Sequence, residues 1–296
     1  MEYIPARHLL HRSRSSEWFG TDHTMNLYRG CCHGCLYCDS RSDCYQIGDF
    51  DTVRAKADAL PILRDDLARK VRPAFIGMGS MSDPYNPFEQ ELRLTRHALE
   101  LIDAYGCGVA IATKSGMIAR DIDILTMIQR HSPVVCKLTV TTADDALAAR
   151  LEPNAPLPSL RLAALEKLSG AGLFAGVLLM PVLPFLEDSD EGVLAVVEAA
   201  ARAGARFIYP AVGVTMRQGQ REYFLDGLER AFPDQGLKAR YLRQYGDRYR
   251  CTSPRACSLW NAFTEACRER GIVYDMKSII RAATLGYGER QLTFFD

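Results

Sequence analysis

The chain has 296 residues, of which 48% are hydrophobic, so it can bury one large core of the barrel or open-sheet kind, or two smaller ones. Its 36 lysines and arginines balance 36 aspartates and glutamates, which excludes attraction of nucleic acid by the field of the whole protein. With ten cysteines, no long apolar run and no signal peptide, we expect a cytoplasmic protein with metal-binding thiols, not a membrane protein or a disulfide scaffold.

Short apolar runs alternate with longer amphipathic segments along most of the chain, which predicts β/α units. Strands are predicted at 25–29, 73–79, 108–114, 134–141, 174–181 and 206–214. Helices are predicted at 52–70, 90–105, 119–131, 159–170 and 190–203, the last behind the cap EDSDE, and then at 217–231, 236–248, 256–270 and 276–283. Strands that are apolar on both faces favour a parallel sheet, as a partial barrel or a doubly wound sheet, with the site at the carboxyl ends of the strands.

A cluster of cysteines directly follows the first predicted strand. Cys31, Cys35 and Cys38 have the spacing C-x3-C-x2-C on a loop that contains glycine. Three thiolates can hold three irons of a [4Fe–4S] cluster and leave the fourth iron open for chemistry. A zinc ion needs a fourth ligand, which His33 or Cys44 could supply, so a structural zinc site is the alternative on spacing alone.

The sequence around these cysteines, NLYRGCCHGCLYC, carries a family resemblance. Its C-x3-C-x-aromatic-C core resembles the signature of the radical S-adenosylmethionine (radical SAM) superfamily, and its extended form resembles the spore photoproduct lyase family and its DNA repair photolyase relatives. The blocks GSMSDPYNPFEQELRLTR, ATKS, LTVTT, RLEPNAPLPSLRLAALEKLSGAG and MPVLP continue the resemblance, in the family's order, over residues 20 to 215.

The resemblance implies both a fold and a chemistry. The fold is an α/β partial (β/α)6 TIM-type barrel, and we divide the chain into an N-terminal segment, the barrel, a C-terminal helical extension and an exposed tail, at 1–20, 21–215, 216–290 and 291–296. The cofactors are a [4Fe–4S] cluster on the three cysteines and SAM on the open iron. A reductant such as flavodoxin or ferredoxin supplies one electron, and SAM is split to a 5′-deoxyadenosyl radical.

The first three strands supply five candidate contacts to SAM under this resemblance. Tyr37 packs near the adenine, while Gly79, Ser80 and Ser82 follow the second predicted strand, where the superfamily contacts the SAM amino group. Lys114 ends the third strand, and its ammonium can pair with the SAM carboxylate. A plain strand-to-loop turn and a solvated lysine are the alternatives.

The fourth strand and the block after it supply three more candidates. Thr139 and Thr141 alternate along the strand, so both hydroxyls share one face and can bind the ribose or carboxylate of SAM if that face points inward. Otherwise they are ordinary strand residues. Glu152, in RLEPNAP, either reaches SAM or holds Arg161 in a buried pair. The MPVLP block forms a wall around adenine or packs in the core.

Two features depart from the family. Spore photoproduct lyase uses a cysteine to return a hydrogen atom to its substrate, whereas the corresponding block here, GMGSMSDPY, contains none. Cys136 is the nearest alternative by chemistry, and we expect it to be a small buried hydrophobe. Asp39 replaces the aromatic residue that often follows the last motif cysteine. We therefore predict a relative of that lyase and not spore photoproduct repair itself.

The other cysteines are not predicted to be ligands. Cys32 offers a rival C-x2-C-x2-C register, but only the register from Cys31 keeps the superfamily spacing, with glycine before the first ligand and an aromatic before the third. Cys44 is expected to be a packed thiol. We also expect core thiols at Cys251, Cys257 and Cys267, because their spacings of six and ten match no known ligand pattern.

Two C-terminal segments suggest partners. Residues 236–255 carry six basic residues, and Tyr241, Tyr245 and Tyr249 recur every four residues, so one helix face can offer stacking rings to a single-stranded or flipped nucleotide. The alternative is a helix that docks its tyrosines on the barrel beneath solvated arginines. The last six residues, Gln291–Asp296, resemble the peptide with which bacterial repair proteins bind the DNA sliding clamp.

These patterns together predict a radical SAM enzyme of the spore photoproduct lyase-like family that acts in nucleic acid repair or modification. A protein, peptide or small-molecule substrate is the alternative within the same chemistry. The alternative outside it is a non-catalytic module in which the cysteines form a structural metal clip.

Overall fold

A computed structural model describes residues 1–70 and 72–287 of the chain. Its strands are β1 (Glu2–Ile4), β2 (His11–Arg12), β3 (His23–Met25), β4 (Tyr28–Arg29), β5 (Arg54–Lys56), β6 (Phe75–Met78), β7 (Gly108–Thr113), β8 (Val134–Thr139), β9 (Phe174–Val182), β10 (Phe207–Thr215) and β11 (Arg250–Thr252). Its α-helices are α1 (Ala59–Ala68), α2 (Glu89–Leu92), α3 (Leu94–Ala104), α4 (Ile122–Gln129), α5 (Asp145–Leu151), α6 (Pro158–Gly170), α7 (Asp190–Arg202), α8 (Gln220–Ala231), α9 (Leu237–Tyr245), α10 (Ala256–Glu269) and α11 (Met276–Thr284).

Six parallel strands form the centre of the main sheet, in the order β3-β6-β7-β8-β9-β10. The short strands β2 and β11 add antiparallel edges at the two ends. Helices connect the parallel strands from β6 onward, and β8 is buried at every position, as a strand covered on both faces should be. This arrangement confirms the predicted α/β partial (β/α)6 barrel, followed by C-terminal helices.

A separate three-stranded sheet, β1-β5-β4, takes residues that the sequence pattern assigned elsewhere. The strand predicted at 25–29 is two strands, because β3 pairs with β6 in the barrel while β4 pairs with β5. The helix predicted at 52–70 begins only at Ala59, since β5 pairs with β1 and β4 on its two sides. Strands this short depend on their partners, so local composition does not reveal them.

The helices after β10 pack over the cysteine loop. Residues 35–37 share a hydrophobic core with α8 and α9, and we call this the second core. Tyr241 and Tyr245 are only 1% and 5% exposed inside it, and their hydroxyls donate to backbone carbonyls, each at 2.8 Å. The predicted stacking role is therefore wrong for both rings, while Tyr249 is 42% exposed. The predicted clamp-binding tail, Gln291–Asp296, lies outside the described residues.

Side chains close the amino end of the barrel. Phe19, from the N-terminal segment, packs against Phe207 and Tyr209 with ring centroids 5.6 and 6.0 Å apart. Ile279 and Ala283 of α11 join the same apolar cluster. The cysteine loop lies at the opposite, carboxyl end of the parallel strands. Among the described residues, no helix has the length and apolar character that a membrane crossing requires.

Lys137 is an exception inside this apolar cluster. Its side chain is buried on β8 between Ala112 and Gly176 of the neighbouring strands, and its ammonium lies 4.4 Å from the Phe19 ring centroid. Burial lowers the pKa of Lys137 to about 7. Because lysine titrates near ~10.4 in the unfolded chain, the unfolded state binds more protons between these values, and stability should rise with pH across that window.

We therefore expect Lys137→Met to stabilise the protein at pH 7 by about 2–4 kcal/mol and to change little near pH 10.5, where the folded amine is neutral and the unfolded amine has lost about half of its charge. Thermal or denaturant unfolding at the two pH values measures the difference. Lys167→Met, at an exposed lysine, is the matched control and should shift stability little at either pH. An equal effect of Lys137→Met at both pH values would contradict this assignment.

Candidate functional site

The backbone of the cysteine loop is fixed by contacts on both sides. Gly30 has φ +82°, and a Cβ there would lie 2.3 Å from the carbonyl oxygen of Thr52, so only glycine fits before the first thiol. The Cys31 amide donates to the Phe50 carbonyl at 2.8 Å, and the Leu36 amide donates to the carbonyl that ends α5 at 2.9 Å. The loop that carries the three cysteines is thus held in place at both ends.

Cys31, Cys35 and Cys38 all carry free thiols, which lie near enough to affect one another electrostatically. Burial and Asp83 raise the pKa of Cys31 to about 12. Burial also raises the pKa values of Cys35 and Cys38, while the Lys114 ammonium acts in the opposite direction on both. A thiol with a raised pKa stays protonated in water at neutral pH, but it becomes a thiolate when an iron takes the place of the proton. The three thiols therefore suit metal binding.

The arrangement differs from that of a single-ion site. Among residues 1–70 and 72–287, no three His, Cys, Asp or Glu side chains converge closely enough to hold one metal ion. A zinc ion needs four donors within ~2.0–2.3 Å of one point. A cubane cluster spreads its thiolates over separate irons, so its ligands surround a larger volume. Three neighbouring thiols match the three ligands that such a cluster takes from the chain, and their role as its ligands stays a prediction.

The remaining cysteines lie apart from these three. Cys32 packs against the main core, which is the large hydrophobic core formed by the barrel strands and the helices that cover them. Cys35 and Cys38 instead contact the second core. Cys44 is exposed, 3.8 Å from an Arg217 nitrogen, so the prediction of a packed thiol is wrong there. Cys251 and Cys267 are buried as predicted, but the expectation of a core thiol is wrong for Cys257, which is exposed on α10.

A buried ion network lies beside the thiols. Glu152 forms an ion pair with Arg161, and both side chains are almost fully buried. The Tyr37 hydroxyl donates to the same carboxylate. Lys114 Nζ lies 3.9 Å from Glu152 Oε1 and 5.4 Å from the Tyr37 ring centroid. Burial disfavours the charge of Glu152, yet the two cations keep its pKa below the ordinary value. The structure thus brings three of the predicted SAM contacts together and also contains the Glu152–Arg161 pair.

The residues after β6 have structural partners. Gly79 has φ +88°, and a Cβ there would lie 2.0 Å from the Ala112 carbonyl, so the close approach of β7 requires glycine. Ser82 is buried, and its hydroxyl donates to the Tyr28 carbonyl at 2.9 Å. Ser80 is exposed and accepts a hydrogen bond from Ser40 through its carbonyl. The structure therefore gives Gly79 and Ser82 packing roles, and contact with SAM stays a prediction for all three.

The two threonines of the fourth predicted strand are both buried. Thr139 is the last residue of β8, and its carbonyl accepts from Arg161 at 2.9 Å. Thr141 lies just beyond the strand, and its hydroxyl interacts with the buried Glu187 carboxyl. Cys136 faces the main core and is fully buried, in keeping with the expected apolar role.

Sequence reasoning missed two carboxylates at this end of the barrel. Asp83 accepts from the Thr113 hydroxyl at 2.6 Å and from the Lys114 amide at 2.8 Å, and His33 Nδ1 lies 3.6 Å from it. It thereby ties the cysteine loop to the end of β7. Glu187 follows β9 and is buried. The acidic residue in the block GSMSDPY is a sequence signal that could have identified Asp83. Glu187 lies in the segment EDSDE, which indicates only a helix cap.

Comparison with known proteins yields a family and several relatives. A family model described as the radical SAM superfamily matches residues 25–198. An uncharacterised protein of Mycobacterium tuberculosis strain H37Rv is 32% identical over 230 residues, which cover 75% of this chain and 67% of the relative. An uncharacterised protein of Methanocaldococcus jannaschii is 31% identical over 58% of this chain and 64% of its own length.

Solved structures resemble the chain in fold. Spore photoproduct lyase complexed with dinucleoside spore photoproduct has a TM-score of 0.66 at 17% identity, covering 92% of this chain and 80% of that one. A radical SAM methyltransferase, TsrM from Kitasatospora setae, with cobalamin and a [4Fe–4S] cluster bound, has a TM-score of 0.55 at 12% identity, covering 90% and 57%. The likeness is one of fold and extends over most of this chain.

Proposed function

The chain belongs to the radical SAM superfamily, and we propose that Cys31, Cys35 and Cys38 hold the [4Fe–4S] cluster of this enzyme. The observation that carries the proposal is the set of three mutually interacting thiols, two of which, Cys35 and Cys38, are also influenced by the Lys114 ammonium. When bound and reduced, the cluster and SAM supply the 5′-deoxyadenosyl radical, with a protein such as flavodoxin or ferredoxin as the electron donor.

The neighbouring side chains bind and orient SAM. Lys114 carries a positive charge at the end of β7, which suits the carboxylate of the amino-acid half. Glu152 accepts from the Tyr37 hydroxyl and so fixes the orientation of the ring that we expect to pack near the adenine. The second core covers residues 35–37 from outside, which keeps water from the cofactors.

Anaerobic reconstitution with iron and sulfide tests this proposal. We expect uptake of about four irons per chain, a broad visible absorbance, and cleavage of SAM on addition of dithionite. Uptake of a single zinc ion without SAM cleavage would instead favour the structural metal clip.

We further propose that the substrate is a nucleic acid, bound beside the cysteine loop. Arg217, just after β10, donates to the Tyr249 hydroxyl at 2.9 Å and lies 4.9 Å from the centre of that ring. Tyr45 lies on its other side, with its ring 5.9 Å from the guanidinium. Both tyrosines are exposed, so this arginine–tyrosine platform offers rings for bases, and its cation, which pairs with Asp39 at 3.2 Å, can exchange that carboxylate for a phosphate. The spore photoproduct lyase structure with its bound dinucleoside supports a substrate of this class.

We expect Tyr249→Ala to weaken binding of a single-stranded oligonucleotide about tenfold, in keeping with the loss of one stacked base. Binding should also fall steeply with salt, because arginine contacts phosphate. A fluorescence titration over a range of salt concentrations measures both effects. Tyr3→Ala, at an exposed tyrosine on β1, is the matched control. Equal affinities of the two variants would contradict the platform and favour a protein or small-molecule substrate.

Clamp binding by Gln291–Asp296 stays a prediction from the sequence. The missing cysteine in GMGSMSDPY likewise keeps us from proposing spore photoproduct repair as the reaction.

A further inference from the structure

Glu187 is a buried carboxyl that the fold itself does not fully use. It lies in the loop after β9, at the carboxyl end of the parallel strands, and is 4% exposed. Its Oε2 accepts from the Leu183 amide at 3.0 Å. Its Oε1 is also buried but has no hydrogen-bond partner among the described residues. A buried polar atom without a partner is costly, so a bound ligand is a physical reason for its presence.

The neighbours of Glu187 belong to the site described above. The Thr141 hydroxyl interacts with its carboxyl group, and Lys114 and Glu152 are close enough to act on it electrostatically. The charge of Glu187 in turn helps to raise the pKa values of Tyr37 and Tyr241. Lys114 lies 3.9 Å from Glu152, and Glu187 forms no ion pair with any described residue. Glu187 therefore lies within electrostatic reach of the candidate SAM contacts and has no ion-pair partner among the described residues.

Glu187 carries a proton at neutral pH. Burial raises its pKa to about 8, and the negative charge of Glu152 adds to the shift. Hydrogen bonds from Thr141 and the Leu183 amide, and the positive charge of Lys114, oppose it without cancelling it. The group is thus a neutral carboxylic acid, which both donates and accepts hydrogen bonds.

The site is consequently divided by charge. Lys114, Glu152 and Arg161 form a charged side, while Thr141 and protonated Glu187 form an uncharged, hydrogen-bonding side. SAM is divided in the same way, because its amino-acid half carries the charges and its nucleoside half carries neutral donors and acceptors. Burying each half against its matching side avoids an unpaired charge in a low-dielectric site.

We propose that Glu187 binds the nucleoside half of SAM through its free Oε1, with the Thr141 hydroxyl beside it. This role rests on the proposed function and names a positioning residue for its cofactor. Lys114, on the charged side, binds the amino-acid half, so the two residues together set the direction in which SAM enters the site.

Calorimetric titration of the anaerobically reconstituted protein tests the division. Two ligands are compared: SAM, which has both halves, and 5′-deoxyadenosine, which has only the nucleoside half. We expect Glu187→Leu to lower the affinity for both ligands about tenfold, and Lys114→Gln to lower it about tenfold for SAM alone. Glu187→Gln, which still donates and accepts, should bind both within about threefold of the parent. Glu166→Gln, at an exposed glutamate, is the control.

A second measurement needs no cofactor. Because folded Glu187 keeps its proton up to pH 8 whereas an unfolded glutamate loses it near ~4.3, the folded state binds more protons between these values and loses stability as pH rises. Glu187→Gln should therefore raise the melting temperature more at pH 8.5 than at pH 4.5, which also shows that the variant folds.

Two results would overturn the inference. One is unchanged 5′-deoxyadenosine affinity in Glu187→Leu, and the other is a melting-temperature gain in Glu187→Gln that does not depend on pH. Failure of the proposed function is distinct, since it appears in the parent protein as absence of cluster uptake or of SAM cleavage.

Discussion

Alanine at any one of Cys31, Cys35 and Cys38 should abolish SAM cleavage and reduce bound iron from about four per chain to less than about one. Each thiolate holds a different iron, so losing one opens a second corner of the cluster to solvent. Cys35 is buried and Cys31 and Cys38 are half-buried, and the three thiols are close enough to affect one another electrostatically. Iron and sulfide analysis after anaerobic reconstitution, with SAM cleavage by dithionite, measures both effects.

Two neighbouring cysteines provide matched controls for this experiment. Cys32→Ala and Cys44→Ala remove thiols from the same loop, but Cys32 packs against the main core and Cys44 is exposed. Both variants should keep the iron content and cleavage rate of the parent within about twofold. Loss of iron in Cys32→Ala with retention in Cys31→Ala would show that the rival register is the correct one.

Arg161→Met should lower the free energy of unfolding by about 3–5 kcal/mol, because it removes the closer of the two cations beside the buried Glu152 carboxylate and leaves only the 3.9 Å contact with Lys114. Arg161 also donates to two carbonyls, those of Thr139 at 2.9 Å and Pro156 at 2.7 Å, which lose their partners too. Urea denaturation of the apoprotein measures the change directly. This would be a large fraction of the stability of an ordinary domain.

A second substitution separates the buried charge from the other lost contacts. Arg161→Met combined with Glu152→Gln also removes the buried carboxylate charge that lost its main partner, and should recover part of the lost stability. Arg64→Met, in the exposed pair with Asp65, should cost less than about 1 kcal/mol. If the double variant is no more stable than Arg161→Met alone, the cost does not arise from the Glu152 charge.

The barrel could be predicted because its strands are apolar on both faces. Apart from Lys137 and the final threonine of the first, Val134–Thr139 and Phe174–Val182 are apolar runs between turn residues, and the observed ends differ from the predicted ends by two residues or fewer. Helix α7 begins behind Ser189, whose hydroxyl accepts from the Gly192 amide, as expected for the EDSDE segment. These signals depend only on residues that are close together in the sequence, so they can be detected from the sequence alone.

The features that were missed depend on contacts across the chain. A tyrosine repeat of four residues predicts one face of a helix but not which side of the helix meets the core, so Tyr241 and Tyr245 were misread. Glu187 and Asp190 lie in one acidic segment, yet the first is buried and the second pairs with Arg255 at the surface. The motif cysteines and Tyr37 could be predicted because they form a motif of residues that are close together in the sequence.

The contact between the cysteine loop and α8 limits how the sequences of related proteins can vary. A Cβ at Gly227 would lie 2.8 Å from a terminal carbon of Leu36, so a methyl group on the helix would require the Leu36 side chain of the loop to move. A relative with a larger residue at the first position needs a smaller one at the second. The C-terminal third, in which the resemblance to the family is weakest, therefore cannot diverge independently of the cofactor loop: the two must change as a pair.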